Sequence, residues 1–166
     1  MRIDTPNLTI TDFTPDMARA VHLGSLDENM RRFLPDEVFG TEAIAAEVIA
    51  DLIACCNGTD GPFVHPMLHD GQYAGYVQLV PAFGGWEIGY HTVQAFAGHG
   101  FATEAVRAFL PVMMARLQLT QVHGVCLQEN AASLRVLEKC GFRRVFEGVG
   151  EYQGSLRPIV RMIYEI

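Results

Sequence analysis

WEIGYHTVQAFAGHGFATEA, residues 86–105, is the stretch whose reading decides the fold. Its first residues set Trp86, Ile88 and Tyr90 against Glu87, Gly89 and His91, the period of a strand with two unlike faces. Gly98 and Gly100 then make a short turn, and apolar residues follow at helical spacing: Val106, Phe109, Leu110, Met113 and Leu117. Glycine lets the backbone approach a ligand without a Cβ in the way, and the first N–H groups of a helix lack partners within it. Free donors at the positive end of a helix suit a phosphate or pyrophosphate. Nowhere else in the chain does local chemistry point so directly to a ligand.

Upstream, residues 7–13 alternate as a half-buried first strand, with Leu8 and Ile10 on one face. Pro15 opens a helix expected over residues 16–26, and a second short one runs to Phe33, before Pro35. Thr41 caps EAIAAEVIADLIACC, whose Ile44, Val48, Ile49, Leu52 and Ile53 form an amphipathic face. Asn57-Gly58 ends that helix, and Asp70-Gly71 joins strands at 63–68 and 72–80 as a hairpin. Downstream of the helix at 104–117, which Pro111 should bend, come a strand at 121–127 and a helix opened by Asn130. Strands at 142–147 and 156–166 finish the chain. Helices and strands alternate only in the second half, so the expected fold is α/β (α+β) with a mixed, mostly antiparallel sheet of about seven strands.

The chain of 166 residues is one ordinary domain, 49% hydrophobic and 19% charged. It holds no apolar run of the roughly 18 residues that would span a bilayer. No basic flank leads into an apolar stretch at the start, so no signal peptide is expected and the cytoplasm is the default. Cys55, Cys56, Cys126 and Cys140 make no C-x-x-C pair and read as reduced small hydrophobes. Eleven arginines, one lysine (Lys139) and a net charge of −7 argue against nucleic acid as a partner and suit a cationic molecule such as an amine.

Two nucleotide motifs fail on the glycine turn. The dinucleotide fingerprint needs a third glycine where Thr103 stands, and the P-loop needs a lysine that this region lacks. Together with NAASLRVLEKCGF, residues 130–142, the block instead resembles the GNAT superfamily of acyl-CoA-dependent N-acyltransferases. Within that superfamily it is similar to the ribosomal-protein N-terminal acetyltransferase branch. That family's phosphate loop is Gln or Arg, two residues, Gly, one residue, then Gly or Ala. Gly98 and Gly100 match it, while the leading position is Ala95.

The resemblance implies the GNAT fold, splayed between its fourth and fifth strands, and acetyl-CoA as co-substrate without a metal. The pyrophosphate would rest on the backbone of Ala97, Gly98, His99, Gly100, Phe101, Ala102 and Thr103. The pantetheine arm would pair with His91 and Val93, and Asn130 would cap its helix and bond a pantetheine amide. Glu87, on the strand leading into the loop, is the candidate base, where partial burial would raise its pKa. Many family members place an acidic tyrosine where this chain has Leu137, so Ser133 becomes the candidate proton donor to the leaving thiolate. The acceptor is a primary amine, a protein N-terminus or a small molecule, contacted by residues 23–39 and the final hairpin. A homodimer stays open, and the alternative is an acyl-CoA sensor of the same shape without turnover.

Overall fold

A computed structural model of the chain describes residues 1–166 except Asn57 and Phe83, so the expected turn at Asn57-Gly58 falls partly outside the described residues. Among the described residues eight strands form one sheet in the order β1-β2-β3-β4-β5-β6-β8-β7. They are β1 (Arg2–Asp4), β2 (Thr9–Thr11), β3 (Phe63–His69), β4 (Gln72–Ala82), β5 (Gly85–Thr92), β6 (Gln121–Leu127), β7 (Arg143–Tyr152) and β8 (Ser155–Glu165). The strand added to the expected seven is β1, a three-residue segment paired to β2, too short to show a period in the sequence. Every pairing is antiparallel except β5 with β6.

Among the described residues five α-helices accompany the strands: α1 (Ala18–Ser25), α2 (Glu28–Phe33), α3 (Glu42–Cys55), α4 (Phe101–Leu117) and α5 (Ala131–Lys139). Their starts follow local chemistry. Asp27, Thr41 and Asn130 each accept a backbone N–H three residues on, from Met30, Ile44 and Ser133. α4 begins three residues earlier than its apolar spacing suggested, directly on Gly100, and continues unbroken through Pro111. The first helix starts later than expected because residues 15–17 form a single 3-10 turn. At residues 70 and 71 the backbone is left-handed (φ +48° and +77°), the turn that Asp-Gly promotes between paired strands.

The main core lies between the sheet and α4, where Val106, Phe109 and Met113 are fully buried against Phe63, Met67, Val77 and Leu79. Burying each such side chain is worth about 1.5–3 kcal/mol, which holds α4 and the loop before it in place. A smaller cluster of Phe13, Ala18, Val21, Ala45 and Ile49 joins α1 and α3. α5 comes close to β6 because residue 124 is glycine: a Cβ there would lie 2.9 Å from Leu137 Cδ2. Leu137, 2% exposed, therefore serves the core.

The contact between β5 and β6 matters most for function. β5 pairs with β4 along its whole length, from Gly75↔Thr92 to Ala82↔Gly85, whereas β5 and β6 meet in one pair, Glu87↔His123. Beyond it the strands diverge. The expected splay lies between these two strands, fourth and fifth when the short β1 is left uncounted.

Candidate active site

The loop before α4 offers a run of donors. Gly98 and Gly100 have φ of +81° and +78°, a region that disfavours side chains, and a Cβ on either would meet nothing within 4 Å. The first hydrogen bond into α4 runs from Glu104 N–H to Gly100 O, 3.0 Å. Among the described residues, no backbone acceptor takes the N–H groups of residues 98–103. Ala97 does not belong to this run: its N–H donates to Gln94 O at 3.2 Å, closing a 3-10 turn. That corrects the expectation that its amide is free for a phosphate. His99 is exposed and folds back, its Nδ1–H donating to Phe96 O and Ala97 O at 3.1 and 3.0 Å. Glu104 holds the N-terminal segment, accepting from Thr5 Oγ1 and the Asn7 N–H at 2.6 and 2.8 Å.

At the splay, strand geometry decides which backbone groups are available. Val93 N–H donates to Ala74 O at 2.9 Å, and His91 O points at Gly75, where a built Cβ would sit 2.0 Å from it. His91 thus turns its carbonyl toward β4, while Val93 gives its N–H to β4 and its carbonyl to the Phe96 N–H at 2.8 Å. The expectation that His91 and Val93 would pair with the pantetheine arm is corrected. Amide direction alternates along a strand, so Tyr90 and Thr92 are the residues facing the gap toward β6. Thr92 Oγ1 is buried and without a partner among the described residues.

The two faces of β5 carry different chemistry. On the α5 side, the Tyr90 hydroxyl donates to Ser133 O at 3.0 Å and lies 2.9 Å from Ser133 Oγ. Asn130 Oδ1 accepts the Ser133 N–H at 3.1 Å, which fixes that serine in the first turn of α5. Cys126, 2% exposed, lies beside them, its thiol pushed up to about 11 by burial, so it stays protonated at neutral pH.

The opposite face carries Glu87. Burial pushes its carboxyl up to about 7, against a partial pull downward from Arg161. His123 pairs with Glu87 across the parallel ladder and shares its face, with Nδ1 buried and unpartnered among the described residues. His91 is 8% exposed and lies 3.0 Å from Asp27 Oδ2; burial lowers its pKa while Asp27 opposes that. Farther along, the buried carboxyl of Glu37 accepts from the Tyr76 hydroxyl and, at 3.5 Å, from Gln78 Nε2. Burial raises its pKa, and those hydrogen bonds pull the other way.

One cleft of about 1270 Å³ joins these pieces, from residues 98–103 past Tyr90 and Ser133 to Glu87, His123 and Arg161. It has a donor-rich mouth, an open strand edge in the middle, and a titratable carboxyl at the far side. The residues fit an extended cofactor with an anionic head and an amide-bearing arm. The acetyltransferase (GNAT) domain profile matches residues 7–143, most of the chain. The chain belongs to the GNAT acetyltransferase family.

Members of this family take their acetyl group from acetyl-CoA without a metal, and the chain is an acetyl-CoA-dependent N-acetyltransferase. No cluster of three or more metal-ligating side chains occurs among the described residues. A curated relative, the uncharacterized N-acetyltransferase YnaD of Bacillus subtilis, is 29% identical over 147 residues, 87% of this chain and 84% of its own. The fold matches a GNAT-family acetyltransferase from Bacillus anthracis with a TM-score of 0.84 at 23% identity, covering 99% of this chain and 98% of that one. It also matches RimL, the ribosomal L7/L12 α-N-protein acetyltransferase solved with coenzyme A, with a TM-score of 0.85 at 18% identity over 100% and 98% of the two chains.

Within this GNAT acetyltransferase the structure brings Glu87, Ser133, Asn130 and the loop 98–103 to one cleft. Sequence reading did not single out Tyr90, Thr92, Glu37, His123 or Arg161 as members of the site. Tyr90 was legible as a strand residue opposite Glu87, but its contact with Ser133 crosses 43 residues. His123 and Arg161 reach the cleft only because β6 lies between β5 and β8. Local sequence carries no mark of that order.

Proposed function

We propose that this acetyltransferase moves the acetyl group of acetyl-CoA to a primary amine by direct attack within a ternary complex. One observation carries the reading: Glu87, raised toward neutrality by burial, lines the same cleft as the free N–H run of residues 98–103. Residues 98–103 hold the pyrophosphate, and the main-chain groups of Tyr90 and Thr92 pair with the pantetheine arm. Asn130 caps α5 and serves the arm's amides. Acetyl-CoA supplies an acetyl group already activated as a thioester.

The chain's own groups manage protons and charge. Glu87 takes a proton from the acceptor's ammonium, leaving a neutral nitrogen free to form the new C–N bond. A backbone N–H at the splay donates to the carbonyl oxygen as it gains charge. Ser133, held by Asn130 and by the Tyr90 hydroxyl, donates toward the sulfur as the C–S bond breaks. The acceptor enters from the side of residues 23–39 and the β7–β8 hairpin, where Phe33 O accepts from the Tyr152 hydroxyl at 2.7 Å.

A protein N-terminus is one acceptor of this chemistry and a small amine the other. Exposed Val149 and Leu156 on the β7–β8 hairpin at the sheet's free edge support a homodimer as part of this reading. Calorimetric titration with acetyl-CoA, then thiol release across an amine panel, tests the whole. Binding that never leads to thiol release with any amine would favour the acyl-CoA sensor instead.

A further inference from the structure

A second cavity, of about 460 Å³, lies beneath α1 and α3 beside the cleft. Val21, Met30, Phe39, Val48, Leu52 and Val64 line its depth. Glu37, Tyr76, Gln78, Val80 and His91 line both spaces and so form the wall between them. Val80 stands directly opposite Glu87 in the β4–β5 ladder. Side chains so paired share a face, their Cβ atoms about 5 Å apart. Val80 lines both spaces, so a group held at Glu87 has the second cavity within reach past Val80. Among the described residues no arginine or lysine lines that cavity; its charged side chains are the carboxylates of Asp36 and Glu37 beside a His91 already paired with Asp27.

We propose that this cavity selects the acceptor: it takes the apolar body, alkyl or arylalkyl, of a small primary amine whose nitrogen lies at Glu87. The proposal rests on the acetyltransferase reading and narrows it. The Glu37 carboxylate in the shared wall and Glu87 beyond Val80 favour an ammonium ion, with Arg161 as the cation on the cleft side, and the apolar depth favours a substituent without polar groups. A polypeptide N-terminus fits less well, because beyond the polar wall its peptide groups would face apolar side chains such as Val21, Val48, Leu52 and Val64.

The test is calorimetric titration of the full-length protein with n-propylamine through n-hexylamine, with and without CoA. Each added methylene should tighten binding roughly fourfold, so propyl and hexyl should differ about 60-fold. Val48→Trp, which fills the cavity away from the reacting groups, should flatten the series while leaving propylamine binding within about twofold. Leu52→Phe fills the same space more gently and stands in if the tryptophan variant loses its circular dichroism. Affinity independent of chain length, or equal weakening of propylamine and hexylamine by the filling variants, overturns the proposal. Thiol release in the presence of acetyl-CoA separates the two claims. A length-dependent affinity without turnover upholds the pocket and sinks the transferase reading; turnover with a flat series does the reverse.

Discussion

Replacing Glu87 with glutamine should raise stability and cut activity, each with its own pH signature. In the folded protein the carboxyl holds its proton up to about 7, against 4.5 when unfolded. The native state thus binds more protons than the unfolded chain between those values. Stability contributed by the protonated carboxyl is present in full below 4.5 and is lost as pH rises to about 7. The cost of keeping the charged form buried reaches on the order of 3 kcal/mol above that range, an upper figure because some water reaches the side chain. Glutamine has the same shape and no titration. Urea unfolding should therefore show Glu87→Gln more stable than wild type by on the order of 2–3 kcal/mol at pH 8, and by less than about 1 kcal/mol at pH 5. For catalysis the sign reverses, because the base must be ionised. With an amine of high pKa, log kcat/KM for wild type should climb with unit slope below about 7 and level above it. The variant should lose roughly 10²–10⁴-fold and show no break there. An equal stability difference at both pH values, or a wild-type profile without the break, would refute the argument that Glu87 is a buried base.

Gly100→Trp puts a bulky side chain on a left-handed residue in the middle of the donor run, so calorimetry should show acetyl-CoA binding lost while the fold persists. Unchanged affinity would remove residues 98–103 as the phosphate site. Ser133→Ala should lower kcat by roughly 10²-fold with the acetyl-CoA Kd within about threefold; loss confined to Kd would make Ser133 a binding group only. Asp27→Ala removes the α2 cap and strands the buried His91 imidazole, a cost of about 2–4 kcal/mol by urea unfolding. A cost under about 0.5 kcal/mol would show that pair to be idle.

Local sequence was enough for much of this protein. Capping residues Thr41 and Asn130, the Asp70-Gly71 turn and the period of residues 86–93 each act within a few residues, and the structure uses each as read. The glycines at 98 and 100 mark the donor loop for the same reason, since a left-handed backbone leaves its imprint on residue choice. What local sequence lacks is the order of strands and the direction of their amides. Placing β6 between β5 and β8 brings His123 and Arg161 to Glu87, and pairing Val93 with Ala74 hands the open edge to Tyr90 and Thr92. Burial does the remainder. Alternation along a strand does not tell whether its glutamate is buried, and only enclosure between β4, β6 and Arg161 raises the Glu87 carboxyl to about 7. Desolvation is a property of the whole surrounding volume, so no stretch of sequence can encode it alone.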